Sequence, residues 1–214
     1  DMVAGKTRTI GFITWNLDPV GSQLLSGALQ EANERDFQIK TILLITDKEG
    51  SDDWVNRCYA HLRRCVEQRM AGLVSVFMPE EIIEYMERET TQYKLPVAIL
   101  DSGFPHPWAA HIRSDDVHGS HLAVEHLASL GHRHIALING EAGHGSTVLR
   151  EQGYREAMRK FGFKVPKNYV HYANWHGEDS GPIVQRLMQE ANPQPTALFC
   201  ASDSIACVAQ RALR

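Results

Sequence analysis

Two hydrophobic periods alternate along the chain. Short apolar and β-branched runs recur at Thr9–Trp15, Gln38–Thr46, Gly72–Met78 and Leu95–Asp101, and again at His134–Gly140, Tyr169–Asn174 and Thr196–Ser202. Most are apolar on both faces, as strands inside a parallel sheet must be. Between them lie amphipathic stretches. Leu24, Leu25, Ala28, Leu29 and Ala32 make one apolar stripe; Leu122, Ala123, His126, Leu127 and Leu130 make another, closed by Gly131 as a C-terminal cap. Residues 52–69, 79–88, 147–161, 180–191 and 203–213 read the same way. Ser51, Asp52 and Asp53 bring cap and dipole chemistry to one helix start, and Pro79, Glu80 and Glu81 to the next. The order βαβαβαβ, a loop, then αβαβαβα predicts an α/β fold of open parallel sheets with helices on both faces. The series breaks near 102–114, where Ser102–Pro107 is turn-rich, so one subdomain is expected over residues 1–106 and a second over 107–214.

Composition narrows the classes. The chain has 214 residues, 43% of them hydrophobic and 22% charged, which argues against bulk disorder. No apolar run approaches the roughly 20 residues of a membrane helix. The formal charge of −4 argues against a large basic face for nucleic acid on this chain. Cys58 and Cys65 fall two helical turns apart on one face, about 10 Å and too far for a disulfide. With Cys200 and Cys207 they show no zinc-ligand spacing. Four reduced, mostly packed thiols in a reducing compartment are expected. No charged-then-apolar leader opens the sequence. Asp1–Lys6 shows no element of its own, and the last amphipathic helix runs to Arg214, so both ends are expected to be fragment ends.

Open α/β sheets bind ligands beyond the carboxyl ends of their strands. That rule selects Trp15, Asp18 and Ser22 after the first run, Phe77 after the third and Asp101 after the fourth. In the second half it selects Glu141, His144 and Ser146 with Arg150 one turn into the next helix, then Trp175 and His176, then Ser202 and Asp203. Aromatic faces beside carboxylates and one arginine suit a polar, ring-shaped ligand. Each residue also has a plainer reading: Asp203 as a helix N-cap, Arg150 as a solvated arginine, Trp175 packed over an edge, Asp18 as a turn acid before Pro19, Phe77 in the core. No nucleophile elbow, P-loop or zinc-protease motif occurs. Gly140–Gly145 is glycine-rich after a strand, but is a weak phosphate nest. His118 and His121 share a helix face without a third ligand, so neither a metal nor a cofactor is expected.

Several segments then become familiar. Lys6-Thr7-Arg8-Thr9-Ile10-Gly11-Phe12-Ile13 resembles the start of the effector domain of LacI-type transcription regulators. Asp115-Asp116-Val117-His118-Gly119 with Ala123-Val124-Glu125-His126-Leu127 resembles that family's "DN..G...A..HL". Leu130-Gly131-His132-Arg133-His134-Ile135-Ala136 resembles its "LGHRRIA", and Arg150-Glu151-Gln152-Gly153-Tyr154 its "R..GY". Pro195-Thr196-Ala197-Leu198-Phe199-Cys200-Ala201-Ser202-Asp203 resembles its "PTA.FC.ND". The likeness is collinear from Lys6 to Arg214.

The resemblance implies a periplasmic-binding-protein-like pair of subdomains (type I) with a ligand cleft between them. It implies a small-molecule effector, a carbohydrate, and a cytoplasmic homodimer that reaches operator DNA through a headpiece outside this chain. No membrane contact and no enzymatic activity are implied. Arg150 matches the arginine that clamps ligand oxygens, Asp203 the acid of "ND" with Ser202 in place of Asn, and Trp175 an aromatic position of sugar-responsive members. Asp116 stands where the motif has Asn. The first-helix segment Leu17–Ser22 lacks the family's aromatic pair, and Trp15 is a candidate to supply the ring. The competing reading is a periplasmic solute-binding protein of an ABC transporter; the unpaired cysteines and the Lys6–Gly11 stretch count against it. A sugar- or phosphate-processing enzyme would rest only on the α/β pattern and Gly140–Gly145.

Overall fold

The alternating runs become strands and helices in the expected order. The computed structural model describes residues 7–14, 17–44, 52–101 and 104–214. Two units divide the chain, one ending at Arg113 and the other starting at Ser114. The first contains β1 (Thr9–Thr14), α1 (Pro19–Glu34), β2 (Gln38–Leu43), α2 (Asp52–Glu67), β3 (Gly72–Val76), α3 (Glu80–Gln92), β4 (Val97–Leu100) and β5 (Ala110–Ile112). The second contains α4 (Asp116–Ser129), β6 (Ile135–Asn139), α5 (Gly145–Lys160), β7 (Val170–Tyr172), α6 (Ser180–Glu190), β8 (Ala197–Cys200) and α7 (Asp203–Ala212). A short 3₁₀ turn at Lys167–Tyr169 leads into β7.

Both sheets are parallel throughout, in the orders β2-β1-β3-β4-β5 and β7-β6-β8. Parallel pairing needs crossovers, and each helix between paired strands supplies one. Position in the sheet explains where the both-faces-apolar pattern holds. The central β6 is buried at all five residues, whereas the edge strand β2 exposes Gln38, Lys40 and Thr41.

Burial along β6 alternates between two cores. Ile135 and Leu137 pack with Val124, Tyr154, Ala157 and Met158 of α4 and α5. Ala136 and Ile138 pack instead with Val184 and Leu187 of α6 and Ile205 and Ala209 of α7. A period of two therefore serves two helix layers from one strand. The first unit has its own core, which includes Ile13, Leu73, Ile82, Ile83 and Met86. Cys58 and Cys65 lie in it, Cys200 is half-buried, and Cys207 is exposed; all four are free thiols.

Local signals settle most helix ends. Asp18 caps α1 through Gly21 N–H at 2.7 Å, with Pro19 at its first position. Pro79 precedes α3, and Glu80 and Glu81 fill its first turn. Gly131 adopts φ +92 after α4. The Gly131 N–H reaches Ala128 O at 3.0 Å and His132 N–H reaches Leu127 O at 3.1 Å, a paired bond pattern that closes the helix. Ser51 lies outside the described residues.

Two expectations change. β5 is an additional strand, only three residues long, pairing with β4 through Ala98↔Ala110 to Leu100↔Ile112. It ties residues 110–112 to the first unit, so the division falls after Arg113 rather than after His106.

Candidate functional site

In the first unit, sheet order places β1, β3 and β4 side by side, and the candidates follow their carboxyl ends. Asp18 is the α1 cap described above. The exposed Ser22 donates its hydroxyl to Leu17 O at 3.0 Å. Phe77 and Asp101, each one residue beyond its strand, are half-buried and both take φ 56. A left-handed conformation is uncommon for residues other than glycine, and here it recurs at two neighbouring strand ends. The Asp101 N–H donates to Ile112 O at 2.9 Å, so β5 holds that turn. Trp15 lies outside the described residues.

The second unit has the denser constellation. Arg150, in the second turn of α5, donates from Nε to Asp116 Oδ1 at 2.8 Å and from Nη1 to Ala201 O at 2.8 Å. Its guanidinium carbon stands 5.3 Å from the centre of the Trp175 ring, within reach of a cation–π attraction. The Asp116 side chain is 5% exposed and that of Arg150 22%. This ion pair is largely withdrawn from water, and the carbonyl and the indole supply further partners. Trp175 packs over Gly140, where an added Cβ would fall 2.5 and 2.6 Å from ring atoms Cζ2 and Cζ3. The His144 ring meets the same indole edge-on, centroids 5.4 Å apart.

Asp203 is the first residue of α7 and is exposed, but it is not the cap. Ser202 takes that role. Its hydroxyl accepts from Ile205 N–H at 3.2 Å and lies 3.4 Å from Trp175 O, to which it donates. The fold thus brings Arg150 and Trp175 into contact, with Asp203 two residues from the carbonyl that holds the arginine.

Asp116, Gly140 and the Ala201 carbonyl complete this cluster, and the strand-end rule selects none of them. A backbone carbonyl has no sequence signature. Asp116 had one: it departs from the Asn of the motif it otherwise resembles. His121 turns to Glu156 at 3.4 Å; a hydrogen bond from Gln152, and secondarily this contact, lower the Glu156 carboxyl below its ordinary range. Among the described residues no group of three or more His, Cys, Asp or Glu is placed to hold a metal ion. Two surface grooves lie elsewhere: one of about 440 Å³ along β8 and α7, the other at the amino ends of β1 and β2. Neither is lined by a candidate residue.

These features define a class: two α/β units on parallel sheets, with candidate side chains beyond the carboxyl ends of the strands in both and contacts among them in the second. Residues 7–214 match the family described as periplasmic binding proteins and sugar binding domain of LacI family, and the chain belongs to it. It is 27% identical over 207 residues to an HTH-type transcriptional repressor PurR of Aliivibrio fischeri, covering 95% of this chain and 58% of the repressor. It is 27% identical over 219 residues to the ribose operon repressor of Escherichia coli, covering 97% and 61%. The chain therefore spans about three-fifths of the length of these curated relatives. Among solved structures, a complex of the transcriptional regulator CelR with cellobiose shares the fold, with a TM-score of 0.83 at 24% identity over 98% of this chain and 63% of that one.

Proposed function

We propose that this chain is the effector-sensing core of a LacI-type transcriptional regulator. It binds a sugar and so alters how a homodimer holds operator DNA through headpieces that lie outside this chain. The protein works in the cytoplasm and catalyses no reaction. One observation carries the reading: a fixed arginine with unused donors at a sheet's carboxyl edge, in a chain matched almost end to end by repressors.

The physical logic is linkage. A ligand shifts an equilibrium between two states only by its differential affinity for them. In a dimer, that bias changes the spacing of two DNA-reading modules. The family also includes periplasmic receptors, and the thiols favour the cytoplasmic reading. Burial pushes Cys58 up to about 12 and Cys65 up to about 11, so both remain neutral core thiols without a bridge, as a reducing compartment allows.

Calorimetric titration of the full-length protein with a panel of pentoses, hexoses and disaccharides tests the reading. Loss of charge-assisted bonds from Arg150 is worth about 1.5–3 kcal/mol, so Arg150→Ala should weaken binding roughly 10- to 150-fold. If no sugar binds, and wild type and variant are indistinguishable, the proposal fails. Sedimentation of the same protein tests the dimer.

A further inference from the structure

We propose that Asp116 makes the site selective for uncharged, polyhydroxylated ligands by neutralising Arg150 before any ligand arrives. The inference rests on the function proposed above and concerns the chemical class of its effector.

Two features of the geometry support it. The first is charge. Arg150 is paired at 2.8 Å with a carboxylate whose side chain is only 5% exposed. A second carboxylate, Asp203, opens α7 two residues after Ala201, the residue that accepts the Nη1 bond. An incoming carboxylate or phosphate meets a neutralised cation with another acid at the same edge. If it drew Arg150 to itself, Asp116 would remain charged, buried and unpaired, a costly state. A hydroxyl asks for no such exchange.

The second is the shape of the donor fork. Anions grip arginine best through two parallel N–H groups on adjacent nitrogens. Here Nε is engaged by Asp116 and Nη1 by Ala201 O. Either nitrogen pair of the guanidinium therefore has one member already engaged, and among the described residues Nη2 alone is wholly uncommitted. Single donors suit single hydroxyl or ring oxygens, and the neighbouring indole offers apolar surface of the kind a sugar ring presents. The "DN" motif that this segment resembles has Asn where this chain has Asp116, so the neutralising charge departs from the pattern.

The test uses matched neutral and anionic probes: galactose with galacturonate, glucose with glucuronate, and ribose with ribose 5-phosphate. Each is titrated calorimetrically into the full-length protein and its Asp116→Asn variant. Wild type should prefer the neutral member of any pair it binds. Asp116→Asn keeps the side-chain shape and removes the charge, so it should shift the affinity ratio towards the anion by about tenfold or more. A merely structural role for Asp116 would weaken both members of a pair equally and leave the ratio in place. A wild-type preference for the anionic member overturns the inference and leaves the sensor function standing, as does an unchanged ratio in the variant. Should the variant fail to fold, the wild-type preference decides alone. Binding of no probe and no other sugar removes the sensor function and this inference with it.

Discussion

Two glycines on facing helices should respond to alanine with opposite signs. Gly153 lies on α5, one turn after Arg150. A Cβ there would fall 2.8 Å from Ser120 Cβ and 2.9 Å from Val117 Cα, with the Val117 carbonyl oxygen closer still. Ordinary contacts are 3.4–4 Å, so α4 and α5 must part by roughly 1 Å where they cross. Alanine in a helix interior gains about 1 kcal/mol over glycine. Overpacking against backbone costs about 3 kcal/mol, the upper end of its usual range, because a helix cannot yield as a side chain can. The net loss of about 2 kcal/mol should lower the melting temperature by roughly 4–8 °C. Gly119 on α4 has nothing within 4 Å of its added Cβ, so Gly119→Ala keeps the gain alone and should raise it. The same separation of α4 from α5 carries Asp116 away from Arg150, whose 2.8 Å bond has little tolerance for a shift of that size. Gly153→Ala should therefore also weaken the sugar binding proposed above, although Gly153 is not among the candidate contact residues. Scanning calorimetry of the two variants decides. A melting temperature for Gly153→Ala at or above wild type would show that the helices yield freely, and the packing argument would fail.

Other consequences follow from particular contacts. Tyr154 is wholly buried and donates its hydroxyl to Ile135 O at 2.8 Å; Tyr154→Phe should cost about 1–2 kcal/mol in denaturant titration, since the carbonyl loses its side-chain donor. Arg69 is exposed with φ 50 after α2, and Arg69→Gly should add about 1 kcal/mol in the same measurement by removing left-handed strain. Burial pushes the Cys65 thiol from 9.0 up to about 11. Below pH 9 neither the folded nor the unfolded thiol ionises; above it the unfolded chain sheds a proton that the folded chain keeps, so stability falls as pH rises towards 11. The fall is up to about 1.4 kcal/mol per pH unit for this thiol, and denaturation midpoints at pH 9 and 10.5 should diverge less in Cys65→Ala. At pH 8 a thiol reagent should label the exposed Cys207 well before Cys58 or Cys65.

Sequence pattern carried the element order because the two periods differ so clearly, and because Gly131 and Pro79 mark helix ends by local chemistry; the capping role of Asp18, read from sequence as a turn acid, emerges only in the structure. It carried less where identity depends on distant partners. β5 is three residues with only its middle one, His111, half-buried, and nothing in Ala110-His111-Ile112 announces a strand until β4 stands beside it. The domain boundary moved for the same reason. At the start of α7, Ser202 and Asp203 are both good caps by residue type, and only the backbone angles choose Ser202.

The carboxyl edge shows the same division between residue type and placement. The rule that ligands gather beyond strand ends selected Arg150 and Trp175 because their types are conspicuous after a strand. What fixes them is quieter. Gly140 is small enough to let the indole lie flat on the end of β6, and the Ala201 carbonyl is free because β8 has just ended. Asp116 opens a helix that packs closely enough, at Gly153, to bring its carboxylate to the arginine. An arginine held from α4 and from the end of β8 has lost much of its rotamer freedom before a ligand arrives. For the sugar proposed above, part of the ordering cost of binding would therefore be met in folding, and a ligand that needs only one or two further donors would gain most from it. Asp116, one of the groups that make the arginine rigid, also cancels its charge, so at this edge preorganisation and the proposed preference for neutral ligands share a contact.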